Sequence, residues 1–199
     1  QPPTLLPLPL LCSPSVMQLR IHEPERRTLA GFIIGFASLI VTWTILHDIV
    51  LIHIEPRHFT EFHRPLLPFT HPVLLAIQYA IVATLGPAML FGALAWAAFR
   101  RRAILLPSAL ALFAPVLLLI ELLAHVIARA SVARWQAGLP LLYPKAWYPE
   151  LTPGVIYTQS VNISSYFSAT FLGISWLLLI QLWPHPFPDR ANKSPCDCH

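Results

Sequence analysis

"TLAGFIIGFASLIVTWTILHDIVLIHI", residues 28–54, holds no ionisable group until His47 and Asp48. At about 1.5 Å per helical residue it is long enough to cross roughly 30 Å of hydrocarbon. Residues 72–99, 103–127 and 162–183 are three further runs of the same kind. The chain is 56% hydrophobic and 11% charged, with a mean hydropathy of +0.62. That is more apolar surface than a soluble domain can bury. The expectation is an all-α integral membrane bundle of four transmembrane helices, with an aromatic, proline-rich extramembrane cap.

Basic residues set the expected orientation. Arg20, Arg26 and Arg27 precede the first run, Arg100, Arg101 and Arg102 separate the second from the third, and Arg190 and Lys193 follow the fourth. The positive-inside rule places these segments, and so both termini, on the cytoplasmic or equivalent side of a bacterial inner or organelle membrane. Loops 55–71 and 128–161 then face outward. The net charge of +4 is spread over loops and makes no basic stripe with interleaved aromatics, which argues against nucleic acid as a partner.

The domain organisation follows from the same pattern: an arm over 1–27, a transmembrane domain over 28–184 and a tail over 185–199. Residues 1–16 carry five prolines and no basic stretch, and read as an extended arm that is either a processed remnant or upstream translation. Cys12, Cys196 and Cys198 lie near the termini, so no disulfide framework is expected, and "CDCH" reads as a solvated tail. In the second run Gln78 is the one strongly polar side chain, Gly86 and Gly92 are small enough for close helix approach, and Pro87 is expected to kink the helix. Loop 128–161 carries Trp135, Tyr143, Trp147, Tyr148 and Tyr157, a composition suited to an ordered cap at headgroup level.

The ionisable groups are not scattered. His47, His53, His58, His63 and His71 are five of nine histidines, and with Asp48, Glu55 and Glu61 they fall within 25 residues of an oily chain. In the third run Glu121 and His125 stand four apart on one helical face. Counting inward, His47, Asp48, Glu121 and His125 share a layer roughly 9 Å below the outer interface, with Gln159 and Asn162 near its rim. An ionised carboxylate in hydrocarbon costs roughly 2.5 to 3.5 kcal/mol or more, so Asp48 and Glu121 are expected to face the bundle interior and to be paired.

Four uses of that layer follow from its chemistry. It serves as packing, with Glu121 bonded to His125 and Asp48 tied to the loop. It serves as an acid/base site in which Asp48, Glu121 and His125 are the catalytic candidates. His47 and His125 on facing helices are the candidate axial ligands of a b-type haem. His53, Glu55, His58, His63 and His71, on a bent loop over the mouth, are candidate ligands for a transition metal, although loop histidines are usually solvated. The spacing of His53, His58 and His63 matches neither a helical face nor the histidine boxes of membrane di-iron desaturases.

"TILHDIVLIHIEPRHFTEF", residues 44–62, resembles the start of the EXPERA family of sigma-2 receptor and emopamil-binding proteins in its late Asp, Pro-Arg turn and acidic-Phe pair. The resemblance covers about one span. It implies a ligand pocket opening to the membrane, with Asp48 as the position carried over; the loop is shorter than that family's, and Gln78 stands where an acid would be sought. No nucleophile motif, phosphate loop or transport repeat is visible. The functional expectation is a small membrane subunit of a larger complex, in contact with lipids and other subunits. The alternative is an intramembrane enzyme, or a protein binding a lipid or sterol-like ligand, haem or metal.

Overall fold

The computed structural model describes residues 23–62, 66–100 and 104–182. Four long helices make the bundle: α1 (Glu23–Ile54), α3 (Pro72–Phe99), α4 (Leu106–Gln136) and α5 (Pro153–Leu182), with a one-turn α2 (Arg57–Thr60) and a 3-10 turn (Lys145–Trp147) at one end. All four are long and apolar enough to cross a membrane, and no strand occurs among the described residues. Residues 1–22 of the N-terminal arm, the three cysteines, the C-terminal tail and His63 lie outside the described residues, whereas residues 23–27 open α1.

Local chemistry sets the helix ends. Glu23 and Glu25 sit in the first turn of α1, where negative charge suits the helix dipole. α1 stops before Pro56, which lacks an N–H and disfavours a helical residue before it. Pro72 and Pro153 are each the first residue of their helices, and α4 also has a proline in its opening turn, where a missing N–H costs nothing. α4 ends at Gly138, whose φ of +70° lets Leu139 N–H turn back to the Arg134 carbonyl at 2.9 Å.

Both later helices are longer than hydropathy indicated. α4 continues nine residues past 127, and α5 begins nine residues before 162. The extra turns, "ARASVARWQ" and "PGVIYTQSV", carry polar side chains that lower hydropathy without opposing helical hydrogen bonding. The cap over 128–161 therefore shrinks to residues 137–152. It is nevertheless pinned: Tyr143 and Tyr148 hydroxyls bond Ser164 and Ser160 at 2.8 and 2.9 Å, and Gln159 Nε2 donates to the Trp147 carbonyl at 2.8 Å. α3 and α4 run through Pro87 and Pro115 as continuous helices.

α1 and α3 pack backbone to backbone. A Cβ on Gly92 would lie 2.8 Å from Ile33 Cα and Phe32 O, so no side chain fits there. Away from the cap, Phe32, Phe36, Phe91, Phe99, Phe113 and Trp176 interlock with ring centroids between 4.9 and 6.1 Å apart in the closest pairs. Such pairs each add about 0.5 to 1.5 kcal/mol beyond area burial. A second cluster, with Leu51, Phe59, Leu75, Ala124 and Val161, closes the cap end. Between the two clusters the helices do not fill the interior.

Candidate intramembrane site

That unfilled interior is a cavity of about 370 Å³. Phe91, Phe113 and Leu117 belong to its apolar wall, and Trp43, His47, Asp48, Glu121 and Asn162 also line it. On one side its lining residues include Leu90 and Leu94 of α3 and Ile174 of α5, which are 63%, 49% and 54% exposed. In a bundle of this composition that side opens to lipid, between α3 and α5.

Glu121 is the centre of the polar layer. His47 Nδ1, on α1, lies 2.9 and 3.0 Å from its two carboxylate oxygens, and His125 Nε2 lies 2.7 Å from Oε1. The other ring nitrogen of His125 is 2.7 Å from the Tyr157 hydroxyl on α5. One chain of hydrogen bonds thus joins α1, α4 and α5. A carboxylate accepts but cannot donate, so with Glu121 ionised both imidazoles donate to it. His125 Nδ1 then carries a lone pair that takes the Tyr157 proton, and His47 Nε2 is left as a bare acceptor.

Among the described residues, buried His47 Nε2 has no hydrogen-bond partner, and the same holds for the Trp43 indole N–H one turn away. Asp48 is 8% exposed and makes no hydrogen bond or ion pair with a described residue. Buried polar groups are normally satisfied, and leaving one unpaired costs about 1 to 3 kcal/mol. Two such groups on residues that line one cavity, with the Asp48 carboxyl beside them, call for an explanation.

The structure brings His47, Asp48, Glu121 and His125 together as expected from depth, and the Glu121 to His125 bond is present. Asp48 is not tied to the loop; it lines the cavity instead. His47 and His125, the candidate haem ligands, have ring centroids 6.4 Å apart, and each points a nitrogen at the intervening Glu121 carboxylate.

Of the proposed metal ligands, the four that are described are not gathered. His53 is exposed and bonds the Ile49 carbonyl, and His71 is exposed at the start of α3. Glu55 is engaged by Arg57 at 2.9 Å. His58, expected on a solvated loop, is 1% exposed because the α2 turn folds it inward beside Asn162 and the Phe59 ring. Among the described residues no three His, Cys, Asp or Glu side chains are placed to hold a metal. Asn162, expected near the rim of the polar layer, lines the cavity within α5.

Sequence reading missed Trp43, Tyr157 as a hydrogen-bond partner, and a latch over the cap. Arg57 bonds Glu55 and also Glu150 of the cap at 2.8 Å. The Arg57 guanidinium holds the Glu55 carboxyl below its ordinary value, and Glu55 in turn raises Arg57. A Cβ at position 154 would lie 2.6 Å from a Glu55 oxygen, so Gly154 is what admits that carboxylate beside α5. The Trp43 and His47 spacing of four was a legible signal; the Tyr157 contact was not.

Four apolar helices around a cavity with a polar layer define an integral membrane bundle with an internal cavity. No family model, curated protein or solved structure matches the chain, so the resemblance over residues 44–62 rests on those residues alone.

Proposed function

We propose that this protein binds one apolar, hydroxyl-bearing molecule of sterol-like size within the membrane, taken up sideways between α3 and α5. The observation that carries the reading is that Trp43 and His47, each with an unsatisfied ring nitrogen, line one largely apolar cavity together with the carboxyl-bearing Asp48. A hydroxyl is both donor and acceptor, so it can donate to His47 Nε2 or Asp48 while accepting from Trp43. The volume of about 370 Å³ lies within the range of about 300 to 1,000 Å³ typical of small-molecule pockets. Apolar walls with a few convergent polar groups are the usual pattern of such sites.

A fluorescent sterol, dehydroergosterol, tests the reading through energy transfer from tryptophan in nanodiscs. Saturable binding is expected, and Ala88→Phe, which fills the cavity from a 2% exposed position in its wall, abolishes it. Equal signal from wild type and Ala88→Phe at matched folding would overturn the proposal.

A second reading, the subunit of a larger membrane assembly, draws support from apolar side chains around the cap. Leu66, Leu67, Leu139 and Trp147 are 66%, 52%, 52% and 45% exposed there. A partner, or the headgroup layer, would cover them. In that reading the hydrogen-bonded chain through Glu121 serves to hold α1, α4 and α5 in register.

A further inference from the structure

The hydrogen-bonded chain does more than hold helices together. It runs without a gap from Tyr157, half-buried in the first turns of α5, through His125 and Glu121 to His47, which lines the cavity. Each member can bind a proton at one atom and release one from another, and every link is between 2.7 and 2.9 Å. A chain built only to join helices has no need of two imidazoles, each bonded through the nitrogen facing the carboxylate. An aliphatic core would join the helices as well.

We propose that Tyr157, His125, Glu121 and His47 form a proton relay between water at the cap end and the molecule held in the cavity, with His47 Nε2 as the delivering atom. This rests on the pocket reading above. While Glu121 is ionised, both histidines donate to it and the chain is stopped in the middle. Once Glu121 carries a proton, all four groups can align in one sense. His47 Nε2–H then gives its proton to the bound molecule as Nδ1 takes the Glu121 carboxyl proton. Glu121 is refilled from His125 Nε2–H, His125 Nδ1 from the Tyr157 hydroxyl, and Tyr157 from water. One proton enters from solvent, one reaches the bound molecule, and every relay group ends with as many protons as it began.

The surroundings favour confinement of that proton. Asp48 on α1 and Tyr166 on α5 are the other titratable groups in the cavity wall, and α3 contributes none to it. Tyr79 of α3 packs instead with the cap-end cluster, against Phe59. Within the cavity wall the proton therefore has no titratable side chain of α3 to pass to.

Imidazole proton exchange with water reads the relay directly. Ring-¹⁵N histidine NMR is recorded on the full chain in lipid nanodiscs, with the His47 signal assigned by its loss in His47→Gln. Tyr157→Phe keeps the ring and removes only the hydroxyl; His125→Gln keeps a bond to Glu121 but cannot pass a proton. Each is expected to slow His47 exchange at least 10-fold with the protein still folded and its melting temperature lowered only by the small amount that one interhelical hydrogen bond accounts for, as a broken relay requires. A wild-type rate in either folded variant would overturn the proposal, since protons would then reach His47 by another path. Dehydroergosterol binding is measured on the same samples and is expected to survive Tyr157→Phe, because Tyr157 is not in the cavity wall. If the wild type does not bind the probe but Tyr157→Phe still slows exchange, the pocket reading fails and the relay stands. Binding with unslowed exchange gives the reverse.

Discussion

Replacing Glu121 tests the centre of the site, and the contrast between Ala and Gln carries the information. Glu121→Ala removes the bonds from His47 and from His125, which join α4 to α1 and brace the route to α5. Side-chain hydrogen bonds between membrane helices average about 0.6 kcal/mol and reach about 1.7. The His47 bond is of that kind, and the His125 bond, made within α4, adds a few tenths, so that together they come to roughly 1 to 2 kcal/mol. The His47 side chain is 6% exposed, so its Nδ1 would be left without partner or water, at a further cost of about 1 to 3 kcal/mol. The expected loss for Glu121→Ala is therefore roughly 2 to 5 kcal/mol. Glu121→Gln keeps the shape, and its amide satisfies both neighbours if one imidazole changes tautomer. His47 can do so freely, because its other nitrogen has no partner. The expected cost is then about 1 kcal/mol, the lost charge assistance. Denaturation with SDS in mixed micelles measures both. Equal losses for Ala and Gln, or a loss below about 0.5 kcal/mol for Ala, would show that the carboxylate is not the link described, and a double-mutant cycle with His47→Ala would locate the error.

Three other outcomes follow from the structure. The Glu55 carboxyl is held low by Arg57, so its contribution is fully present above the ordinary carboxylate value near 4.5 and is lost as pH falls through its lower folded value; melting in detergent should hold from pH 7 to 5, fall below about 4, and lose part of that acid sensitivity in Arg57→Met. Gly92→Ala should cost about 1 to 3 kcal/mol because its Cβ meets the α1 backbone at 2.8 Å, whereas Gly86→Ala, with nothing within 4 Å, should be neutral or slightly stabilising in the same SDS assay. After the native cysteines are changed to serine, cysteines at Glu23 and Trp147 should label with an impermeant thiol reagent from opposite sides of the membrane, as four crossings and the arginine distribution require; labelling from one side would refute the topology.

Much of the bundle was legible in residues 28–54 alone, because crossing hydrocarbon demands about 20 apolar residues in a row and that demand is written in composition. The depth of His47, Asp48, Glu121 and His125 was equally readable, since depth is a count along a helix of fixed rise. So was the bond from Glu121 to His125, which needs only a spacing of four. Helix ends were less legible where hydropathy and hydrogen bonding part company, as in "ARASVARWQ" and at the start of α5. What lies beside what was decided only by tertiary packing. That His47 meets Glu121 and Tyr157 meets His125 depends on how α1, α4 and α5 are rotated about their axes. Rotation in a membrane is set by small residues such as Gly92 and by ring packing, not by any alternation of polar and apolar faces, because lipid makes most faces apolar. His58 is the same lesson at the cap: its sequence is that of a loop residue, and a one-turn helix packed beside Asn162 buries it. The cavity, finally, is a property of helices that fail to touch, and no single run of residues records a space between four of them.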